Sequence, residues 1–263
     1  MSDAVAEALV GRKDEILERL KALLRLPSVS TDPAYAAGMK ATREFLMARL
    51  KEGGLDDVRL LDGGGQPAIT AAWNGAPGKP TLIIYGHYDV QPPDPLELWK
   101  SPPFEPTIRD GRLYARGASD VKGSTLIAVE TVIEFIRAGG CPVNIRFFLE
   151  GEEEIGSPSL RAIIDRHGDA LVGDAMISAD GGRASTTLPT VSVGSRGLTA
   201  MRFTLRTAGK DMHSGRYGGA VRNANHELAR LIASLHDENG RIIVPGYMEA
   251  MAPITAREAE DAA

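Results

Sequence analysis

A single cysteine, Cys141, is all the thiol in 263 residues, which excludes an internal disulfide framework and fits a reducing compartment. A basic excess is missing too. Thirty Lys and Arg against 35 Asp and Glu leave a formal net charge of −5, so no electrostatic footprint of a nucleic-acid binder is present. Aromatic residues make up only 5%. No apolar run approaches the roughly 18 residues that a membrane-spanning helix needs. The opening MSDAVAEALVGRKDEILERLKALLRLP scatters acids among bases and lacks the basic start, apolar middle and cleavage site of a secretion signal. The expectation is a cytoplasmic protein with no membrane and no nucleic-acid partner. Repeats and low-complexity segments are also lacking. What remains, 43% hydrophobic and 25% charged, is ordinary for a soluble globular chain of one large or two smaller domains.

Ile16, Leu17, Leu20, Leu23 and Leu24 recur at helical spacing, and Pro27 stops that helix. A second helical pattern covers 41–50. Strand-like runs follow at 58–61, 68–73 and 81–85. The proline-rich QPPDPLELWKSPPFEP (91–106) fits neither a helix nor a central strand and reads as a long functional loop. TIRDGRLYAR predicts a hairpin turning at Asp110-Gly111. Leu126, Val129, Ile133 and Ile136 mark a helix closing at Gly139-Gly140, followed by a strand at 143–149, a helix from about Ser157 and a short run at 175–178. Strands alternating with helices imply an α/β fold, a sheet covered by helices on both faces. After about Ser195 the texture changes. LTAMRFTLRTA alternates like an antiparallel strand, and NANHELARLIASLH places Leu228, Leu231, Ile232 and Leu235 on one helical face. The expected domains are therefore 1–195 and 196–263.

Residues 150–157, EGEEEIGS, crowd Glu150, Glu152, Glu153 and Glu154 behind an apolar strand, where like charges repel unless something positive compensates. A solvated acidic loop is the plain reading. Three other sites bear on it. His87 and Asp89 in LIIYGHYDV stand at i and i+2, on one face of a strand end, either as a hydrogen-bonded structural pair or as a ligand and its orienting carboxylate. Asp120 in GASDVKGS opens a helix, as an N-cap or a ligand. Asp180 in AMISADGG ends an apolar run, as a turn residue or a ligand. His87, Glu153, Glu154 and Asp180 each lie just past the C-terminal end of an expected strand, the edge where open α/β sheets bind ligands. One imidazole and several carboxylates meeting there call for divalent cations, zinc or else manganese or cobalt.

The motifs GHYDVQP, LYARGASDVKG, EGEEEIGS and KDMHSGRYGG, in this order, resemble the co-catalytic zinc peptidases and deacylases, and among them the carnosinase-like, non-specific dipeptidase branch. The resemblance runs from about residue 10 to 250. It implies a mixed sheet sandwiched by helices in a zinc-exopeptidase-like catalytic domain, followed by the start of a smaller α+β lid domain that dimerises. It implies two divalent metal ions, about 3.5–4 Å apart as in two-metal hydrolases. His87, Asp120 and Asp180 would hold one, Asp120 would bridge, and Glu154 would bind the other. Glu153 would be the general base and Asp89 would orient His87. His213 would reach the partner subunit's active site and stabilise the oxyanion, in a homodimer joined through the lid. Glu150 and Glu152 match no functional position. The Asp120–Val121 bond would be cis.

The chain departs from the resemblance in length, because relatives continue for roughly two hundred residues. That continuation supplies a histidine to the second metal, so this chain reads as an N-terminal part whose second site lacks a ligand. The resemblance implies hydrolysis of dipeptides or short peptides next to the free C-terminal residue. An N-acyl amino acid deacylase with the same metal centre, or a non-catalytic dimerisation or binding protein, are the alternatives. His167, His226 and His236 receive no role.

Overall fold

Side-chain alternation explains how one sheet comes to have two cores. In the computed structural model, which describes residues 2–261 apart from 183, 184, 186, 189, 193 and 196, Phe147 faces one apolar cluster and Phe148 the other. Successive strand residues point to opposite faces, so both neighbours can be buried only when helices cover both sides. The chain divides into two compact units, Met1–Val193 and Gly194–Ala263. The expected boundary before Arg196 adjoins a residue that, like 1, 262 and 263, lies outside the described residues.

In the first unit, helices α1 (Ser2–Gly11), α2 (Lys13–Leu24) and α3 (Ala36–Glu52) precede strands β1 (Asp56–Leu61), β2 (Ala68–Trp73) and β3 (Thr81–His87). A short hairpin of β4 (Thr107–Arg109) and β5 (Arg112–Tyr114) leads to α4 (Lys122–Arg137). Then come β6 (Asn144–Glu150), α5 (Leu160–His167) and β7 (Ala175–Ser178). The sheet order is β1-β2-β6-β3-β7. β1, β2 and β6 pair antiparallel, whereas β3 pairs parallel with both β6 and β7. The sheet is therefore mixed, and the C-terminal ends of β6, β3 and β7 share one edge.

Leu23, Met39, Leu46, Leu50, Leu126 and Ile133 cover one face against Ile69 and Phe147, and Ile163 and Ala170 cover the other against Ala68 and Phe148. Helix α4 lies close to β3: a Cβ at Gly86 would collide with Thr125 Oγ1, so glycine permits that approach. The expected covering of the sheet ends at β7. There Met176 is 64% and Ile177 55% exposed, and among the described residues β7 has a single strand neighbour.

Charge also enters this core. Glu130 of α4 is 1% exposed and accepts two hydrogen bonds of 2.6 Å from Arg49 of α3, while Arg19 of α2 reaches it at 2.9 Å. Lys122 is equally buried, and its Nζ donates to the carbonyls of Leu26 (2.6 Å) and Leu23 (3.3 Å) at the end of α2. A neutral amine still has two protons for those two carbonyls.

The second unit holds the short helix α6 (Ser214–Tyr217), α7 (Ala224–Ala233) and α8 (Ala256–Asp261). The expected strand over LTAMRFTLRTA is not one. Its described residues have no ladder partner among the described residues, and without one alternation alone does not make a strand. Met201 and Phe203 are exposed instead. No helix among the described residues is long and apolar enough to cross a membrane.

Two outcomes follow for the first unit. Glu130→Ala leaves the buried Arg49 guanidinium uncompensated and should cost about 3–5 kcal/mol in urea unfolding. Burial pulls Lys122 down to about 7, against an opposing pull from Asp89, whereas an unfolded lysine titrates near 10.4. Between those values the unfolded chain binds a proton that the folded chain does not, so stability rises with pH. The urea midpoint of the wild type should climb from about pH 7 to 9 relative to Lys122→Met; parallel pH profiles would refute the assignment.

Candidate metal centre

β3 ends by delivering His87, and Asp89 follows two residues on, both side chains wholly buried. The imidazole Nδ1 faces two oxygens of Asp89, the carbonyl at 3.1 Å and Oδ1 at 3.3 Å. A proton held on Nδ1 by these acceptors leaves the Nε2 lone pair pointing the other way. Nε2 has no hydrogen-bond partner. It lies 3.4 Å from Asp120 Oδ1, 3.5 Å from Asp180 Oδ2 and 3.8 Å from Glu153 Oε2.

Each of these carboxylates arrives on a different element. Asp120 precedes Val121, which occupies the N-cap position of α4 with no side-chain cap, and the bond between them is cis. Asp180 lies two residues past β7, where its N–H donates to the Ser178 hydroxyl oxygen at 3.2 Å. Glu153 opens a 3₁₀ turn directly after β6. Parallel pairing of β6 and β7 with β3 brings Glu153 and Asp180 to the sheet edge at which His87 stands, and the start of α4 supplies Asp120.

His87, Asp120 and Asp180 each offer a ligand atom, and these atoms lie within 4.8 Å of one another. A buried, unpartnered ring nitrogen facing carboxylate oxygens fits a divalent cation with mixed nitrogen and oxygen ligands. The electrostatics describe the same demand. Burial pulls the His87 pKa down, but Asp89, Asp180 and Glu153 outweigh it and hold the ring at about 9. Glu153 is pushed up by burial and by Glu154, Asp180 and Asp89, against His87 pulling it down. Glu154 is pushed up by burial and by Asp120 and Asp89, with Gln91 and His87 opposing. A cation would relieve the carboxylates and displace the proton from the imidazole.

The glutamate that ends β6 and the three that follow it divide by function of place. Glu150 stands opposite His87 in the β3–β6 register and accepts the Tyr85 hydroxyl at 2.5 Å. Glu152 turns inward, where its two oxygens accept the backbone N–H groups of Gln66 (2.8 Å) and Ser159 (2.9 Å). The loop wraps it so closely that a Cβ at Gly65 would collide with Oε1. Glu153 and Glu154 remain to face the site. Asp89 Oδ2 accepts the Glu154 N–H at 3.1 Å, and Gln91 Nε2 donates to Glu154 Oε2 (2.7 Å) and to its carbonyl (3.2 Å). Glu154 is therefore held beside the cluster of His87, Asp120 and Asp180 rather than within it.

Sequence reasoning missed Gln91, although it stands four residues after His87 in the same motif. It also missed Ser30, whose hydroxyl donates to Asp89 Oδ2 at 2.7 Å from 59 residues away. No local pattern marks such a contact. His213 belongs to the second unit, where its Nδ1 accepts the Gly215 N–H at 3.0 Å. Of the histidines left without a role, His167 bonds the Asp62 carbonyl, while His226 and His236 are exposed.

Comparison with known proteins supplies relatives. The model of the family described as Peptidase family M20/M25/M40 matches residues 83–257. The chain is 32% identical over 239 residues to the cysteinylglycine-S-conjugate dipeptidase of Corynebacterium striatum, covering 90% of this chain and 52% of that protein. It is 33% identical over 262 residues to the human Beta-Ala-His dipeptidase, covering 94% of this chain and 52% of that one. Among solved structures, the dipeptidase Dug1p of Saccharomyces cerevisiae superposes with a TM-score of 0.77 at 26% identity, over 98% of this chain and 57% of that one. The chain thus spans about half the length of the curated relatives it matches.

Removing Glu152 should loosen the loop from which Glu153 and Glu154 extend. Glu152→Ala strands the Gln66 and Ser159 N–H donors and should cost about 1.5–3 kcal/mol in chemical denaturation. Glu150→Ala leaves those two bonds intact, so it serves as the comparison.

Proposed function

Because the chain belongs to the peptidase family M20/M25/M40, we propose that it carries the metal-binding part of a metal-dependent dipeptidase, with His87, Asp120 and Asp180 as ligands. The single observation behind this reading is the buried, unpartnered Nε2 of His87 facing three carboxylates. Dipeptidase is favoured over deacylase by the relatives, two of which bear dipeptidase names at 32% and 33% identity.

Divalent ions bound here, zinc foremost and manganese or cobalt as alternatives, would make water acidic enough to ionise near neutral pH and would polarise the scissile carbonyl. Glu153 is the general base. It sits 3.8 Å from the ligand nitrogen, and burial beside other carboxylates raises its proton affinity. It accepts the proton of the attacking water and passes it to the leaving amine. Asp89 keeps the Nδ1 proton on His87, so that Nε2 remains the ligand atom. Asp120 faces both His87 and, by its charge, Glu154, which suits a carboxylate shared between two ion positions. Glu154 would serve the second position.

Residues 196–263, within the second unit, are proposed to belong to a lid through which two copies pair, with His213 reaching the partner's site. Their exposed Met201, Phe203 and Ile232 support an apolar contact surface.

Metal analysis of the dialysed, folded chain should find about one tightly held zinc or manganese ion, lost in Asp180→Ala. Glu153→Ala should keep that ion, and wherever the wild type hydrolyses a neutral dipeptide the variant should be about 10²–10⁴-fold slower. A folded chain that holds no ion would sink the metal reading. Faster turnover of an N-acetyl amino acid than of the dipeptide would sink the dipeptidase.

A further inference from the structure

The segment that follows α2 runs beside the end of β3. Ser28 Oγ donates to the Tyr88 carbonyl at 2.6 Å, and the Val90 N–H donates to the Ser28 carbonyl at 2.8 Å. Val29 pairs with Val90 in a parallel bridge. These backbone ties place Ser30 at Asp89, where its hydroxyl donates to Oδ2 at 2.7 Å. The Glu154 N–H binds the same oxygen at 3.1 Å. With Oδ2 held by two donors, Oδ1 is turned towards His87 Nδ1 at 3.3 Å and has no other partner. Asp89 and His87 are both fully buried, so each depends on the protein donors around it.

We propose that Ser30 is a positioning residue for the metal centre, setting the rotation of the Asp89 carboxylate and through it the orientation of the His87 ring. The proposal rests on the reading of His87 as a ligand to a divalent ion. The Ser30 hydroxyl donates to Asp89 rather than to a carboxylate that faces His87 Nε2. Without its hydroxyl, Asp89 retains only the Glu154 N–H on Oδ2, and its carboxylate is free to swing Oδ1 away from the ring. A ligand imidazole whose outer partner is disturbed typically loses 10–100-fold in metal affinity, and the remaining N–H puts the expected loss at about tenfold.

The test compares Ser30→Ala and Ser30→Thr in the whole chain, with two readouts. Zinc affinity is measured by competition with a chromophoric chelator, and the His87 ring nitrogens and Nδ1 proton are followed by NMR in the metal-free protein. Ser30→Ala should bind zinc about tenfold more weakly and shift the His87 ring signals, whereas Ser30→Thr, which keeps the hydroxyl, should restore both. Wild-type affinity and unchanged ring signals in Ser30→Ala would overturn the proposal. So would equal losses in both variants that track a shared drop in thermal stability, because Ser30 would then be only a packing residue. If the wild type binds no zinc but its ring signals respond to Ala and not to Thr, the metal reading fails while the Ser30–Asp89–His87 link stands.

Discussion

The burial of an imidazole and a carboxylate at the end of β3 is the constraint on which the rest of this structure depends. His87 and Asp89 have no exposed surface, and a buried polar group without partners is costly. Asp89 meets that demand by gathering three parts of the chain: the strand that carries it, the strap at Ser30 and the acidic loop at Glu154. His87 meets it on one side only. Its Nε2 is left for whatever lies among Asp120, Asp180 and Glu153. The same bonds that rigidify the strand end therefore aim one free nitrogen at three carboxylates.

The acidic loop follows from this arrangement. Its charge is not pooled at one point but distributed, with Glu150 on the Tyr85 hydroxyl and Glu152 on two backbone N–H groups. Charge-assisted bonds of this kind stabilise a buried carboxylate without a countercharge. Glu153 and Glu154 lack that degree of compensation, and their raised proton affinities reflect it. The two glutamates least satisfied by the protein are those proposed to act as base and ligand.

The two units differ in what covers them. Helices close both faces of the sheet from β2 to β3, whereas β7 and most of the second unit's apolar side chains face outward. Alternation in LTAMRFTLRTA predicted one wet and one dry face, but Leu198, Met201, Phe203 and Leu205 are all exposed. A strand also needs a hydrogen-bonding neighbour, and the described residues supply none. Met201 and Phe203 stay exposed there.

The sequence by itself determined the local elements. Periodicity from Ile16 to Leu24 and from Leu126 to Ile136 marked the helices that run over Lys13–Leu24 and Lys122–Arg137, apolar runs marked the strands of the first unit, and i, i+2 spacing put His87 and Asp89 together. The ends of apolar runs pointed to Asp180 and the glutamates, because chain order and strand direction are local properties. Tertiary structure alone decided the strand order, the parallel pairing that brings Asp180 and Glu153 to His87, and which two of four neighbouring glutamates turn inward. It also decided that Ser30 would meet Asp89 across 59 residues and Glu152 would meet Gln66 across 86. Such contacts join single donors to single acceptors across the sheet and leave no periodic trace, so only the folded backbone can specify them.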